Sequence, residues 1–524
     1  MAVRRLSGLQ KDVLRLYRDC LRATRKKPAE TRPRFRAFAR QEFEKNVRTV
    51  KRTDVQAIEY LLRIGRRRME QYASPNVRDI SLVSPALCAD LVDRRWLSTG
   101  GQAAAENKSE LFKLFAKLMS NPYSKDTNPT GIINAGVAIN GTIKDLLVNK
   151  LNSLDTPFVA SDLEYSIPQG TPALRGEIAA TINRHFAPAS DVCCDDIVVT
   201  NGCTTAIEML AFATCEPGDH ILVPAPLYLA LPVDMGTRAR AKMTPVHVPL
   251  SMVGETGQIE FFEHMVAEIA NHGGSVKALF LMNPNNPLGI TYPRAVMREF
   301  LRFASKHNLF VISDEIYALS MFRHNAAPFE SLLSWSDLSE YIDPAAVVVL
   351  HGLSKDFGLN GFRIGWAVVP WNKQLLAALL AYAPFAFIPS YTQRLLTQLF
   401  ADHRFIDSML ETSQANLADN YADAASFLYV HEVEFVQASG GHFIWFHMPI
   451  SACAKMLGHS ADAPELTWTR ELEYQMTLHL MDKYALYMPP GQAFFSSDFG
   501  WFRFTFAICK EELDIALKRL EDAL

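Results

Sequence analysis

The sequence predicts an α/β protein, with a mainly parallel sheet and flanking helices, preceded by a small bundle of three helices. Three observations carry this. From Leu111 onward, short β-rich runs alternate with helical stretches, as strand–helix units around a parallel sheet do. Residues 5–80, by contrast, hold almost no glycine and place their apolar residues at helical spacing. The charge also changes sign between the two parts: residues 1–80 carry 22 Lys and Arg against 9 Asp and Glu, a net +13, while the rest stands at −16. At 524 residues, the chain is too long for one core, and the charge break marks two units with different partners.

In the basic unit, Leu9, Val13, Leu16 and Tyr17 form one helical stripe and Phe35, Phe38, Ala39 and Phe43 a second. Ile58, Leu61 and Leu62 form a third, followed by Arg63, Arg66, Arg67 and Arg68. Pro28 and Pro33 separate the first two helices, and Arg52-Thr53-Asp54 reads as the start of the third. Such a bundle is a solvated basic surface or a docking module. Clustered cations also suit phosphates, but no nucleic-acid motif accompanies them. "SGLQKDVLRLYRDCLRATRKKP" and "VQAIEYLLRIGRRRMEQY" resemble the LYR-motif family, most closely the succinate dehydrogenase assembly factor 1 type. The resemblance implies a mitochondrial matrix module. Leu16, Tyr17 and Arg18 would engage a cluster-transfer co-chaperone. Arg66, Arg67 and Arg68 would hold acidic surface on the succinate dehydrogenase iron–sulfur subunit. Without that module, a cytoplasmic location is the default.

Residues 81–110, with Pro85, Gly100, Gly101 and a small polar tail, read as a linker. The strands expected beyond it are Ile197–Thr200, His220–Val223, Val276–Met282, Leu309–Ser313 and Val347–Leu350. Leu375 to Ile388, interrupted by Pro384, reads as a buried helix and loop. No run of about 18 apolar residues predicts a helical membrane span. Eight cysteines without a CxxC indicate neither a zinc site nor a disulfide framework.

Ligand groups in such sheets gather beyond the carboxyl ends of the strands. There, Gly202-Cys203-Thr204 open a helix whose free N–H groups suit an anion. Pro226-Leu227-Tyr228 present an aromatic, and "NPNNPLG" fixes Asn286. Asp314 ends an apolar strand, where a carboxylate is costly unless it meets a cation. Tyr317 follows it. "HGLSKDFGLNGFRIGW" then sets Lys355 and Arg363 in a glycine-rich turn. Taken alone, Lys355 is a surface lysine and His351 a packed histidine. Together, this order of groups is what a pyridoxal phosphate site requires.

"NPNNPLG", "SDEIYA" and "SKDFGLNGFRIGW" resemble the class I/II aminotransferases, a fold type I family of pyridoxal phosphate enzymes, over about residues 128–508. The resemblance implies residues 111–160 and 401–524 as a small α+β domain around a large one at 161–400. It makes Lys355 the Schiff-base lysine and general acid/base, and Asp314 the partner of the pyridinium nitrogen. Tyr317 and Asn286 would contact the ring oxygen, and Tyr228 would stack on the ring. Cys203 and Thr204 would supply phosphate amides, with Ser354 and Arg363 beside them. Tyr165 would reach the phosphate of a second copy in a homodimer, and Arg503, in "GWFRFTFA", would bind the substrate α-carboxylate.

"SDEIYA", "NPLG" and "GWFRFTFA" look especially like the 1-aminocyclopropane-1-carboxylate synthase branch. However, Ile139 stands where that branch has a glutamate selecting S-adenosylmethionine, and Pro168 where it has a tyrosine. Gly352 stands where many relatives carry a phosphate-binding hydroxyl. The expected activity is therefore an aminotransferase acting on an α-amino acid. A lyase of the same fold, synthase-like or cleaving a carbon–sulfur bond, is the alternative within the class. An assembly factor carrying the second unit as a passenger is the alternative outside it.

Overall fold

A computed structural model describes residues 8–49, 55–74, 96–106, 110–323, 328–458 and 466–524. Arg52-Thr53-Asp54, Pro85 and the side chain of Arg68 lie outside the described parts. The chain forms two compact units, Met1–Gln102 and Ala103–Leu524.

The first unit contains α1 (Gly8–Thr24), α2 (Arg32–Thr49) and α3 (Val55–Ala73). Leu16, Phe35, Ala39 and Leu62, one or two from each expected stripe, are buried. Tyr17 packs on Phe43 at 4.8 Å between ring centroids, and Phe38 on Tyr72 at 5.4 Å. The Lys27 ammonium donates to the Ser74 carbonyl oxygen at 2.8 Å, tying the turn after α1 to the end of α3. The stretch read as a linker carries a helix, α4 (Thr99–Glu106), because Ala103-Ala104-Ala105 favour it and Ser98 Oγ accepts the Gly101 N–H.

In the second unit, α5 (Glu110–Ser120), β1 (Ile133–Asn134), α6 (Lys144–Ser153) and α7 (Pro172–Phe186) precede the main sheet. Its strands are β2 (Ile197–Thr200), β3 (His220–Ala225), β4 (Lys242–His247), β5 (Val276–Met282), β6 (Phe310–Asp314), β7 (Val347–Gly352) and β8 (Gly365–Val368). Between them run α8 (Cys203–Thr214), α9 (Leu231–Gly236), α10 (Ile259–Asn271) and α11 (Arg294–Lys306). Among the described residues, the sheet order is β2-β8-β7-β6-β5-β3-β4, with β8 antiparallel to both neighbours. Each strand serves two cores by alternation. Leu279, Val311, Val347 and Val349 enter one, and Phe280, Ile312, Val348 and Leu350 enter the other. With both faces covered, these strands read as continuous apolar runs, which is why they were visible in the sequence.

Next come α12 (Lys373–Tyr382), α13 (Ser390–Ala401) and α14 (His403–Val430). Within α12, Leu375 and Leu379 are buried but Leu380 is exposed, so the apolar run makes an amphipathic helix. A third core joins α14 to the two-stranded pair β9 (Phe443–His447) and β11 (Trp501–Thr505). It also includes α15 (Ile450–Leu457), α16 (Arg470–Lys483), β10 (Leu486–Tyr487), which pairs with β1, and α17 (Lys510–Ala523).

Candidate active site

The parallel strands deliver the chemistry to one edge. Asp314 ends β6 in register with Met282 of β5 and Leu350 of β7. It is 3% exposed, and its Oδ1 accepts the Ile316 N–H at 3.2 Å. Burial raises its carboxyl to about 7. Lys355 follows β7, with its ammonium donating to the Ala138 carbonyl oxygen at 2.6 Å and 5.9 Å from the centre of the Tyr317 ring. Burial, with help from the Arg503 charge, lowers this amine to about 8. An amine so depressed loses its proton easily enough to act as a nucleophile.

Gly202, at φ 81°, is the N-cap of α8 and turns the Cys203 and Thr204 amides outward. A Cβ on Gly202 would lie 2.4 Å from the Arg363 guanidinium, so this glycine lets that cation close on the helix start. Arg363, itself left-handed at φ 56°, donates to Ser354 Oγ at 3.4 Å and to the Asn360 carbonyl oxygen at 3.1 Å. These residues form a cationic cradle suited to a phosphate.

Arg503 projects from β11 and is 3% exposed. It donates to Asn286 Oδ1 at 2.8 Å and to the Gly136 carbonyl oxygen. The rings of Phe443 and Phe494 flank it at 4.9 and 4.7 Å. Tyr228 is half-buried, and burial raises its phenol and that of Tyr317. The structure thus brings together Lys355, Asp314, Asn286, Tyr317, Tyr228, Cys203, Thr204, Ser354, Arg363 and Arg503. Tyr165 is fully exposed.

Pyridoxal phosphate fits this set. The Tyr317 hydroxyl and Arg503 Nε are buried donors with no partner among the described residues, and a ring oxygen and a carboxylate satisfy such groups. Asp314 offers a buried acid for a ring nitrogen.

Several groups at the site escaped sequence reasoning. The Gly136 and Ala138 carbonyls meet the two cations from an otherwise unremarkable loop. Asp234, on α9, is buried near the cradle, hydrogen-bonded with Thr204, and pushed up to about 7 by burial. Asp356, adjacent to Lys355, is 1% exposed, and an acid inside a glycine-rich turn was the one legible sign of it.

In the first unit, Leu16 is 6% exposed and Tyr17 half-buried, while Arg18, Arg66 and Arg67 are exposed. A Cβ on Gly65 would lie 2.8 Å from Leu16 Cδ2, so α1 and α3 meet closely at that leucine. Leu16 is therefore a packing residue, and Arg18 is the exposed member of its triplet.

The family described as aminotransferase class I and II matches residues 160–520, and the LYR family of complex 1 proteins matches residues 11–71. A 1-aminocyclopropane-1-carboxylate synthase-like protein 1 of Bos taurus is 31% identical over 77% of this chain and 78% of its own length. A "probable inactive" synthase-like protein 2 of Homo sapiens is 30% identical over 79% and 71%. A "probable aminotransferase", gliI of Aspergillus fumigatus, is 30% identical over 75% and 89%. Among solved structures, the aspartate aminotransferase of Thermus thermophilus with maleate superposes with a TM-score of 0.63 at 21% identity, over 82% of this chain and 99% of that one, and so shares the fold. Fold, site and relatives agree: this chain belongs to the class I and II aminotransferases, with pyridoxal phosphate as cofactor, and carries an LYR-family segment ahead of them.

Proposed function

We propose that the second unit is an aminotransferase acting on an α-amino acid. The observation that carries the reading is one buried cluster holding a depressed lysine, an acid and two separate arginine sites. Arg363 and the Gly202–Thr204 amides bind the cofactor phosphate. Asp314 holds the ring nitrogen protonated, Tyr317 and Asn286 orient the ring oxygen, and Tyr228 covers the ring. When bound, pyridoxal phosphate supplies the electron sink that makes the substrate Cα–H acidic. Arg503 would hold the substrate carboxylate, and Lys355, its proton affinity lowered by burial, would take the proton from the substrate Cα and later give it up again. Ile139 adjoins the carbonyl that holds Lys355, is partly exposed, and offers no charge to a sulfonium substrate.

The protein is expected to be yellow, with its visible absorption lost in Lys355→Ala. Keto acid formed in step with amino transfer supports the reading. Ammonia and pyruvate would establish a lyase instead, which the synthase-like relatives keep as the second reading. Conversion of S-adenosylmethionine to aminocyclopropane carboxylate would overturn the role given to Ile139.

For the first unit, we propose a matrix docking module. Arg18, Arg66 and Arg67 face acidic surface on the succinate dehydrogenase iron–sulfur subunit and a cluster-transfer co-chaperone, as forked guanidiniums suit carboxylates. Tyr165 is proposed to complete the phosphate site of a second copy.

A further inference from the structure

Beside the cluster lies a buried polar chain that the reaction above does not use. Asp356 follows Lys355 directly. Its Oδ2 accepts the Leu319 N–H at 2.9 Å and lies 3.1 Å from His351 Nε2. Its Oδ1 accepts the Ser320 hydroxyl at 2.5 Å. His351 Nδ1 accepts the Gly352 N–H at 2.9 Å, so Nε2 carries the ring proton and donates to Asp356. The Ser320 proton is committed to Asp356, so its oxygen accepts from His442 Nε2, 3.1 Å away. His442 is 0% exposed, its Nδ1 has no partner among the described residues, and its ring meets the Tyr317 ring edge-on at 5.1 Å.

The backbone repeats the connection. The Gly441 N–H donates to the Ser320 carbonyl oxygen at 3.0 Å, and the Phe322 N–H to that of Ser439 at 3.1 Å. The Ser439 N–H donates to the Gly289 carbonyl oxygen, in the Asn286 loop, at 2.7 Å. Residues 439–442 then run into β9, whose partner β11 carries Arg503 opposite Trp445. One segment therefore touches the Asn286 loop, the Tyr317 turn and, through Ser320 and Asp356, the Lys355 turn.

We infer that Asp356, Ser320 and His442 are positioning residues: their hydrogen-bonded chain fixes Lys355 relative to Arg503, and so sets the distance between the group that moves the Cα proton and the group that holds the carboxylate. The inference rests on the aminotransferase reading for its consequence but not for its geometry. Lys355 is faced by Arg503, Cys203, Arg363 and Asp314. Burial and the two arginines disfavour a proton on the Lys355 nitrogen whether or not it is bonded to the cofactor, so a loosened turn lets the proton affinity of that nitrogen rise.

The test is Ser320→Ala in the full-length holoprotein, which removes one oxygen and no packing. The pH midpoint of the visible cofactor band is read without turnover, and KM and kcat are read with it. The midpoint is expected to rise by roughly half a pH unit or more, and KM for the amino acid to rise about tenfold. His442→Leu is expected to reproduce both effects, His442→Gln, which keeps a donor, to restore them, and His442→Leu in the Ser320→Ala background to add little. An unmoved midpoint and KM in cofactor-saturated Ser320→Ala, or additive effects in the double variant, would overturn the inference. A shifted midpoint in a protein that turns over no amino acid would instead leave the positioning chain standing and remove the aminotransferase reading.

Discussion

Arg503 is a cation held almost without water, and its surroundings explain how. Two neutral acceptors, Asn286 Oδ1 and the Gly136 carbonyl, take two of its nitrogens, and two aromatic faces cover the guanidinium. Burial works against its charge, leaving a strong unmet attraction for a carboxylate. Lysine cannot reproduce that fork. Arg503→Lys is therefore expected to raise KM about 100-fold, near 2.7 kcal/mol, with the visible spectrum intact, as steady-state kinetics and absorbance will show. Gly352 presents the opposite case. By sequence it stands where many relatives carry a phosphate-binding hydroxyl, so that one phosphate hydrogen bond is lost or passes to water. In the structure, a Cβ there would lie 2.9 Å from Cys203 Sγ, from the Gly365 Cα and from the Ile364 carbonyl oxygen. Two of those atoms are backbone and cannot step aside. Gly352→Ser should therefore weaken pyridoxal phosphate binding and lower the melting temperature, whereas tighter binding would show that the cradle tolerates a hydroxyl.

The elements that carry the cofactor groups were legible because they are buried on both faces, leaving apolar runs bounded by turn residues. Asp314 and Lys355 stood out as charges at the ends of such runs. β8, β9 and β11 were not read as strands. β9 and β11 pair with each other across more than fifty residues, as Thr505 does with Phe443, and β8 is an antiparallel insertion into an otherwise parallel sheet. The positioning chain was hidden for the same reason: Ser320 meets His442 across 122 residues. α16 shows what such distant ties do. Glu473 on this helix is 0% exposed and accepts the N–H groups of Gln492 and Gly500. One carboxylate thus pins both ends of the loop that leads into β11, and the Arg503 N–H returns to the Pro489 carbonyl oxygen at 3.2 Å. Glu473→Gln turns an amide N–H₂ toward those donors. It should destabilise the protein by about 2 kcal/mol in urea unfolding and raise KM more than it lowers kcat. A change in kcat alone would detach the loop from substrate binding.

At the scale of the whole molecule, the chain joins a basic helical unit to an acidic α/β unit, a division that composition alone revealed. The acidic unit stores its unusual carboxyls inside rather than on its surface. Glu315, next to Asp314, is 1% exposed and turns away from the cofactor groups, accepting from Ser313 Oγ and the Leu332 N–H at 3.1 Å each. Burial raises it to about 7 from an ordinary value of 4.5. A folded value above the unfolded one means that the native state holds the proton more tightly. This contribution to stability is therefore complete below about pH 4.5 and is lost as pH climbs through about 7. Surface acids such as Asp402, lowered by the Lys150 hydrogen bond, act in the opposite sense at lower pH. Glu315→Gln separates the two, since the amide keeps the shape and never ionises. The unfolding free energies of Glu315→Gln and the unsubstituted protein should run parallel below pH 4.5. Above it they should diverge in favour of the variant, at up to about 1.4 kcal/mol per pH unit, until about pH 7. Denaturant titrations across that range decide the matter, and profiles that stay parallel to pH 8 would show that Glu315 ionises in the fold as it does in water.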